Sequence, residues 1–257
     1  MAVLITGGSE GIGFELAKLY AADGFDLILA ARDPQKLEQA AQRLKSFSAA
    51  VQTIALDLSV PGSAERLYQE VKARGLHVDV LVNDAGFGLA GCSWQLPLDQ
   101  EERLVGVNDI ALMSLTKLYL RDMAAEGRGI ILNIGSTGAF QPGPYIASYY
   151  ASKSFVLSYT RAAACEAAGT GVKIHCFCPG PVDTGFYARS GGHKPSQAMS
   201  AAAAAEYAYA RQNSRCVVLL PGFVNHLALA VPSGWRMRLV AAMKKRYLKQ
   251  DKEKAAQ

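Results

Sequence analysis

The segment Ala2-Val-Leu-Ile-Thr-Gly-Gly-Ser-Glu-Gly-Ile-Gly13 joins a short apolar run to a glycine-rich turn and the start of a helical pattern. It predicts a β-strand over Ala2–Thr6 and a helix over Gly11–Ala22. Glycines at positions 7, 11 and 13 let the backbone turn sharply and approach a pyrophosphate closely. The helix N-terminus then offers free N–H groups and the positive end of its dipole to an anion. Because this loop lies between a strand and a helix, we predict a dinucleotide-phosphate site here.

The rest of the chain alternates short β-like runs with helical patterns. Further strands are predicted at 26–31, 51–56, 78–82, 129–134, 172–178 and 216–220. Further helices are predicted at 34–45, 63–74, 100–125, 148–168 and 201–211, the first with Asp33 as its N-cap. Several strands are continuous apolar runs, as strands covered on both faces are. The pattern predicts an α/β protein, a single doubly wound Rossmann-type domain over residues 1–257, with a seven-stranded parallel sheet flanked by helices.

Charge is concentrated at one end of the chain. The net charge is +5, but residues Val231–Gln257 hold eight Lys/Arg and two Asp/Glu. The other 230 residues hold 19 basic and 20 acidic groups and are close to neutral. A body without a basic surface predicts no nucleic-acid partner.

The five cysteines are odd in number and scattered, which argues against a disulfide framework. Cys176-x-Cys178 lies in an apolar strand-like run with no second pair nearby, so we predict no metal site. No signal peptide precedes the first predicted strand, and no apolar run reaches the roughly 18 residues of a membrane span. Together with free thiols, these features predict a cytoplasmic protein.

Tyr149 and Lys153 lie four residues apart in the predicted helix segment Ser148-Tyr-Tyr-Ala-Ser-Lys153. Residues at this spacing share a helix face. An ammonium beside a phenol favours the phenolate and lowers the phenol pKa from about 10. The pair therefore predicts a tyrosine that exchanges protons near neutral pH. Tyr150 has Ser154 rather than a lysine four residues on, so it is not the predicted proton donor.

These motifs together resemble the short-chain dehydrogenase/reductase family, in its ordinary one-domain branch. The family's T-G-x3-G-x-G is matched by Thr6 to Gly13, and its Y-x-x-x-K by Tyr149 to Lys153. Its N-N-A-G is matched by Asn83-Asp84-Ala85-Gly86, with Asp84 in place of the second asparagine. Its helix asparagine, its catalytic serine and its P-G motif are matched by Asn108, Ser136 and Pro179-Gly180. The resemblance covers about Ala2 to Phe186.

The resemblance implies a reaction and a catalytic group. It predicts an enzyme that interconverts a carbonyl and an alcohol with a nicotinamide cofactor, with Tyr149 as proton donor or acceptor. Lys153 is expected to lower the tyrosine pKa and to hold the nicotinamide ribose. The Ser136 hydroxyl is expected to bind the substrate oxygen, and Asn108 to support a water relay to Lys153.

The end of the second strand bears on the choice of cofactor. Ala31 stands where an NAD-binding carboxylate is expected, and Arg32 follows with a guanidinium that suits a 2′-phosphate. NADP(H) is therefore favoured over NAD(H), with Asp33 assigned to the helix cap. The resemblance predicts these cofactor-binding residues: Gly7, Ser9, Gly11, Ile12, Gly13, Arg32, Asp57, Leu58, Asn83, Ala85, Gly86, Tyr149, Lys153, Pro179, Gly180, Val182 and Thr184.

The loops that follow the strands are mostly apolar or aromatic and predict a hydrophobic substrate, such as a steroid, an acyl thioester or an aromatic ketone. A substrate lid is predicted at about 185–212. The predicted substrate contacts are Ser136, Trp94, Tyr145, Tyr149 and Phe186, with Leu96, Phe140, Pro142 and Tyr187 as further wall residues.

The basic C-terminal tail, about 231–257, is predicted to be helical. Trp235, Leu239, Val240, Met243, Tyr247 and Leu248 could form one apolar face of it. Such a face could lie on an anionic membrane or pack on the protein's own domain or a partner subunit. The resemblance implies a homo-oligomer, a dimer or a tetramer. Two other functions stay open: a lipid-metabolism reductase docked on a membrane by its tail, and a non-catalytic nucleotide-binding regulator.

Overall fold

A computed structural model describes residues 1–47, 50–191, 196–222, 225, 227 and 231–255, with side chains described as far as residue 246. Its strands are β1 (Ala2–Thr6), β2 (Asp26–Ala31), β3 (Val51–Ala55), β4 (Val80–Asn83), β5 (Gly129–Ile134), β6 (Val172–Phe177), β7 (Val182–Asp183), β8 (Met199–Ser200) and β9 (Val218–Leu219). Its helices are α1 (Gly11–Ala22), α2 (Pro34–Leu44), α3 (Ser63–Ala73), α4 (Leu98–Val105), α5 (Leu112–Glu126), α6 (Ala147–Glu166), α7 (Phe186–Ser190), α8 (Ala201–Arg211) and α9 (Ser233–Ala255).

Seven strands form one parallel sheet in the order β3-β2-β1-β4-β5-β6-β9. The predicted fold class, a parallel sheet of seven strands flanked by helices, is confirmed. The chain runs outward in one direction from β1 and in the other from β4. The boundary between these two strands is therefore the topological switch point, where open α/β sheets bind ligands beyond the carboxyl ends of the strands.

Helices cover the sheet on both faces, and alternate residues of β1 point to opposite sides. Val3 and Ile5 enter the core that α1, α2 and α8 complete, whereas Leu4 enters the core beneath α3, α5 and α6. All three side chains are fully buried. Two-sided burial explains why the strands read as continuous apolar runs rather than as alternating patterns.

Two features were not predicted from the sequence. The helix expected over 100–125 is α4 and α5 joined by a π-helical turn, Gly106–Ala111. A separate parallel pair, β7 with β8, holds the segment after β6. A π turn adds one residue without breaking the apolar pattern, and two-residue strands are too short to show a period.

The basic tail forms α9, and the expected apolar face of this helix points outward. Trp235, Leu239 and Met243 are 70%, 63% and 45% exposed, whereas Val240 is half-buried. Tyr247 and Leu248 lie outside the described side chains. None of the helices in the described part of the chain is long and apolar enough to cross a membrane.

Candidate active site

A crevice of about 810 Å³ opens at the carboxyl ends of the central strands. Its wall contains segments from the loops after β1, β2, β3, β4, β5 and β6, as the switch-point rule requires. The predicted residues on this wall are Gly7, Ser9, Gly11, Ile12, Arg32, Asp57, Leu58, Ala85, Gly86, Ser136, Tyr149, Lys153, Pro179, Gly180, Val182, Thr184, Phe186 and Tyr187. The structure therefore brings the glycine loop and the tyrosine–lysine pair to one site.

The glycine loop is held against the loop that follows β4. The Thr6 Oγ1 accepts a hydrogen bond from the Ala85 N–H at 3.2 Å. Gly7 has a φ of +73°, and a Cβ there would lie 2.9 Å from the Ala85 nitrogen. A Cβ at Gly13 would lie 2.7 Å from the Gly7 carbonyl oxygen. Side chains at these two positions would push the loops apart, so the close approach needs glycine.

Asp84 replaces an asparagine of the family motif and puts an ionisable group beside this loop. Its Oδ2 accepts the Gly13 N–H at 2.8 Å. Burial raises the pKa of Asp84 to about 7, against the opposing effects of the Gly13 hydrogen bond and the Lys153 and Arg189 cations. The carboxyl group therefore titrates near neutral pH, which an asparagine at this position would not do.

Asp33 begins helix α2 as its N-cap. Its Oδ1 accepts the backbone N–H groups of Gln35 and Lys36 at 3.0 and 3.1 Å. The predicted cap is confirmed. Helix capping alone accounts for an aspartate at this position, because the side chain accepts two N–H groups of the first helical turn.

Arg32 is an exposed cation on the wall of the crevice at the end of β2. Within the described residues, no carboxylate lies within 4.0 Å of its guanidinium. Two other cations on this wall are already paired: Lys36 Nζ with Glu10 at 3.1 Å and Arg103 with Asp57 at 2.9 Å. Among the cations at the ends of β2 and β3, Arg32 is therefore free to meet an anionic ligand.

Asp57 lies on the same wall of the crevice and is paired with Arg103. Burial acts to raise its pKa, but hydrogen bonds from Ser59 and the charges of Arg103 and Arg32 hold that pKa below its ordinary value. A fixed carboxylate at the end of β3 offers an acceptor to the hydroxyl or amine groups of a bound nucleotide.

Lys153 is buried next to Tyr149. Its Nζ donates a hydrogen bond of 2.7 Å to the Ile134 carbonyl and lies 5.7 Å from the centre of the Tyr149 ring. Burial lowers the pKa of Lys153, while the charges of Asp84 and Asp109 oppose that change. The ammonium is thus desolvated and anchored to the end of β5.

The pKa of Tyr149 departs from the expectation. Burial raises it, and hydrogen bonding with the Ser136 side chain opposes the increase. The sequence predicted a lowered pKa, because it assumed an ammonium close to the phenol oxygen. Here Lys153 instead donates to Ile134, and desolvation of the phenolate is the largest cause of the raised pKa. Tyr149 is therefore a protonated phenol at neutral pH.

Asn108 lies in the π turn and joins two parts of the site. Its Oδ1 accepts the Phe87 N–H at 3.1 Å, and its Nδ2 donates to the Phe87 carbonyl and to Ser152 Oγ, both at 3.0 Å. The side chain is fully buried and outside the crevice wall. In this structure Asn108 fixes the loop after β4 to α6 rather than contacting Lys153.

Asn83 was expected beside the cofactor ribose, but the structure does not bring it into the crevice. Its Nδ2 donates to Asn133 Oδ1 at 2.8 Å and to Thr116 Oγ1 at 3.1 Å. These groups form a buried polar network between β4, β5 and α5. Gly13, also expected at the cofactor, likewise lies behind the wall, where its N–H binds Asp84.

Aromatic rings surround Tyr149, the predicted proton donor. The Phe186 ring centre lies 5.0 Å from that of Tyr149, and Tyr187 lies 5.6 Å from Phe186. Both come from α7, and Tyr150 of α6 completes this apolar part of the wall.

Five other predicted wall residues lie outside the crevice: Trp94, Leu96, Phe140, Pro142 and Tyr145. Trp94 is 81% exposed on a short turn after β4. Tyr145 has a φ of +64°, and its carbonyl accepts the Gly91 N–H at 2.9 Å, so its backbone joins two loops. A loop position alone does not fix where a side chain points, and the structure does not bring these five residues to the crevice wall.

The sequence did not single out several residues on the wall, among them Lys36, Arg103, Arg189 and Lys244. Lys36 lies in α2 and Arg103 in α4, and neither residue belongs to a recognised sequence motif. Lys244 belongs to the distant tail, and only tertiary packing brings it to the crevice.

Comparison with known proteins agrees with this geometry. A family model described as short chain dehydrogenase matches residues 1–194. The chain therefore belongs to the short-chain dehydrogenase family of oxidoreductases.

Across the described residues, no group of three or more His, Cys, Asp or Glu side chains could hold a metal ion.

Two of the similar proteins are, by name, a 3-oxoacyl-CoA reductase and a hydroxysteroid dehydrogenase. A very-long-chain 3-oxoacyl-CoA reductase of Pyricularia oryzae is 30% identical over 67% of this chain and 53% of that protein. A 7beta-hydroxysteroid dehydrogenase of Collinsella aerofaciens is 29% identical over 66% of this chain and 65% of that protein. The chain spans about half the length of the fungal reductases it matches.

One solved structure resembles nearly the whole chain. It is a short-chain dehydrogenase from Sphingobium yanoikuyae in complex with NADPH, with a TM-score of 0.83 and 28% identity over 93% of this chain and 95% of that one. The match supports a nicotinamide cofactor for this protein.

Proposed function

We propose that this protein is an NADP(H)-dependent oxidoreductase that interconverts a carbonyl and an alcohol on a hydrophobic substrate. The observation that carries the proposal is one crevice lined by the glycine loop, by Arg32, and by Ser136, Tyr149 and Lys153. A non-catalytic nucleotide-binding regulator would need the first two features only.

The protein's part in the reaction is to orient the reactants and to supply a proton. The nicotinamide, when bound, provides the hydride chemistry. Tyr149, kept protonated by burial, donates its proton to the carbonyl oxygen as negative charge develops there. The Ser136 hydroxyl donates a hydrogen bond to the same oxygen and stabilises that charge. Lys153, a desolvated cation next to the tyrosine ring, favours the phenolate that remains.

The same crevice accommodates a dinucleotide. The helix N-terminus behind the glycine loop would receive the pyrophosphate, and the unpaired Arg32 would meet a 2′-phosphate. NAD lacks that phosphate, and Asp33, the nearest carboxylate in sequence, caps α2. These contacts favour NADP(H).

Arg32→Ala is expected to weaken NADPH binding by at least about tenfold and to leave NADH binding almost unchanged, because hydrogen bonds to charged groups contribute about 1.5–3 kcal/mol. Ala31→Asp is expected to reverse the preference, since it adds an anion near the phosphate and an acceptor near the ribose. Fluorescence titration of both reduced cofactors at fixed salt measures these affinities.

The matched control is Arg66→Ala, which removes the same charge from an exposed position on α3, away from the crevice. Equal weakening of both cofactors by Arg32→Ala, or a wild-type protein that already prefers NADH, would contradict the cofactor assignment.

The substrate class is tested by following cofactor absorbance while purified protein is offered ketones, steroids and acyl thioesters. Oxidation of NADPH with members of one apolar class is the expected result. If neither NADPH nor NADH is consumed with any of them, although both bind, the regulator becomes the better description.

A second candidate function, a reductase docked on an anionic membrane, is favoured by the outer surface of α9. Trp235, Leu239 and Met243 form an exposed apolar stripe with a spacing of four residues. Between residues 233 and 246 this helix carries three exposed cations, Arg238, Lys245 and Arg246, and no carboxylate. Interfacial helices combine an apolar face with such a basic one. In this arrangement the crevice would take its substrate from lipid. The lid predicted at about 185–212 includes α8, whose Ala204, Ala205 and Ala208 are fully buried in the core, so this helix is not a movable cover.

We expect the protein to sediment with vesicles that contain phosphatidylglycerol but not with pure phosphatidylcholine vesicles. Trp235→Ala should weaken this binding by about tenfold, because it removes most of a buried aromatic side chain. Trp94→Ala, at an equally exposed tryptophan elsewhere, is the control and should leave binding unchanged. Binding that is insensitive to both salt and Trp235→Ala would rule out docking through this helix.

A further inference from the structure

Lys244 is a cation that the C-terminal helix contributes to the wall of the catalytic crevice. The same wall contains Ser136, Tyr149 and Tyr187, although Lys244 lies more than fifty residues beyond any of them in sequence. No motif of the glycine loop or of the catalytic group requires a lysine here. Its position is therefore a property of how α9 packs.

The inner face of α9 is well defined. Arg236, Val240 and Lys244 are half-buried and are spaced by four residues, so they form one line along the helix. Arg236 Nη2 donates a hydrogen bond of 3.1 Å to the Phe140 carbonyl. Phe140 ends the short turn that begins next to Ser136. This contact fixes the start of α9 near the catalytic serine, and Lys244 follows about two helical turns, or roughly 12 Å, further along.

The Lys244 ammonium has no counter-ion among the described residues. None of their carboxylates lies within 4.0 Å of it, and burial is the only cause that lowers its pKa. By contrast, the neighbouring crevice cations Lys36, Arg103 and Arg189 are each paired with a carboxylate. A half-buried cation that faces a cavity without a partner is costly unless a ligand supplies the negative charge.

We infer that Lys244 binds an anionic group of the substrate, so that the preferred substrate is a hydrophobic carbonyl compound bearing a carboxylate or a phosphate. The inference rests on the proposed reductase function and specifies its substrate class. The apolar body of such a compound fits the rings of Phe186 and Tyr187 beside Tyr149. The anions of the cofactor are already assigned to the glycine loop and to Arg32.

The test uses three aromatic ketones that differ in one substituent: para-acetylbenzoate, its neutral methyl ester, and para-acetylphenyl phosphate. Binding to the whole protein with saturating NADP⁺ is measured by calorimetry, because no hydride can be transferred to a ketone from the oxidised cofactor. Reduction of each ketone with NADPH is measured separately as kcat/KM. The variants are Lys244→Met, which removes the charge at similar length, and Lys244→Arg, which keeps it.

Wild-type protein is expected to bind one of the anionic ketones at least about tenfold more tightly than the neutral ester, because a charge-assisted hydrogen bond raises affinity by at least about that factor. Lys244→Met should abolish that difference without weakening the ester, and Lys244→Arg should restore most of it. Lys245→Met, at the exposed neighbouring residue, is the matched control and should behave like wild type. The carboxylate and the phosphate compounds distinguish the two sources of charge.

Each other outcome is decisive. Equal binding of all three ketones by wild type, or an anion preference that survives in Lys244→Met, would overturn the inference. A loss of NADPH affinity in Lys244→Met would assign this lysine to the cofactor instead, and the inference would again be wrong. Anion-selective binding without reduction of any ketone would leave the inference standing and remove the proposed function.

Discussion

Tyr149→Phe is expected to lower kcat by about 10²–10⁴-fold, the range that an acid–base group contributes. The substitution removes only the hydroxyl that donates the proton, and the ring keeps its contact with Phe186. Cofactor affinity should stay within a factor of about two of wild type, since the hydroxyl is assigned to the substrate oxygen. Steady-state turnover with NADPH and cofactor titration by fluorescence measure the two effects.

The neighbouring residue supplies the control. Tyr150→Phe makes the same chemical change on the same helix, at a ring that also lines the crevice. It should retain most of the wild-type turnover, because no lysine lies four residues beyond it. Turnover above about a tenth of wild type in Tyr149→Phe, or an equal loss in Tyr150→Phe, would show that the proton comes from another group.

Lys153→Ala is expected to lower kcat by about 10²-fold and to weaken NADPH binding by about tenfold. Two losses are expected because one ammonium favours the phenolate and is also assigned to the nicotinamide ribose. The Nζ–Ile134 hydrogen bond shows that the amine already lies at the end of β5, inside the crevice. Single-turnover rates and equilibrium titration separate the chemical step from cofactor binding.

Lys173→Ala, at an exposed lysine on β6, should change neither quantity. Circular dichroism at matched temperatures checks that each variant is folded, since Lys153 is buried. A Lys153→Ala protein that binds NADPH as tightly as wild type would eliminate the ribose contact, and one that also turns over normally would eliminate both roles.

The layered fold was predictable because its determinants are local. The apolar runs of β1 and β5 and the helical pattern of α1 gave the observed boundaries, since each carries its own period and its own turn residues. The glycine loop and the Tyr149–Lys153 pair were predictable for the same reason: spacing along one loop or one helix determines their geometry.

The rest of the site depends on contacts between distant segments. The pKa direction of Tyr149 was wrong because the hydrogen bond from Lys153 to Ile134 is a tertiary contact. Trp94 was placed in the crevice because it follows a strand, yet a short turn directs it to solvent. Lys244 was missed because a chain alone does not show where a terminal helix will dock. The motif residues of the crevice wall were thus predicted, whereas the wall residues that distant segments contribute were not.

The π turn between α4 and α5 determines which side of the second half of this helix faces the sheet. Leu104, before the turn, is fully buried, and five ideal turns of roughly 18 residues from it would end at position 122. That residue is Asp122, which instead faces α3, where it pairs with Lys72 at 2.7 Å and accepts the Tyr68 hydroxyl at 2.8 Å. The additional residue in the turn moves the inner position to Met123, which is buried. One extra residue near Asn108 thus turns a carboxylate away from the sheet about four helical turns further along.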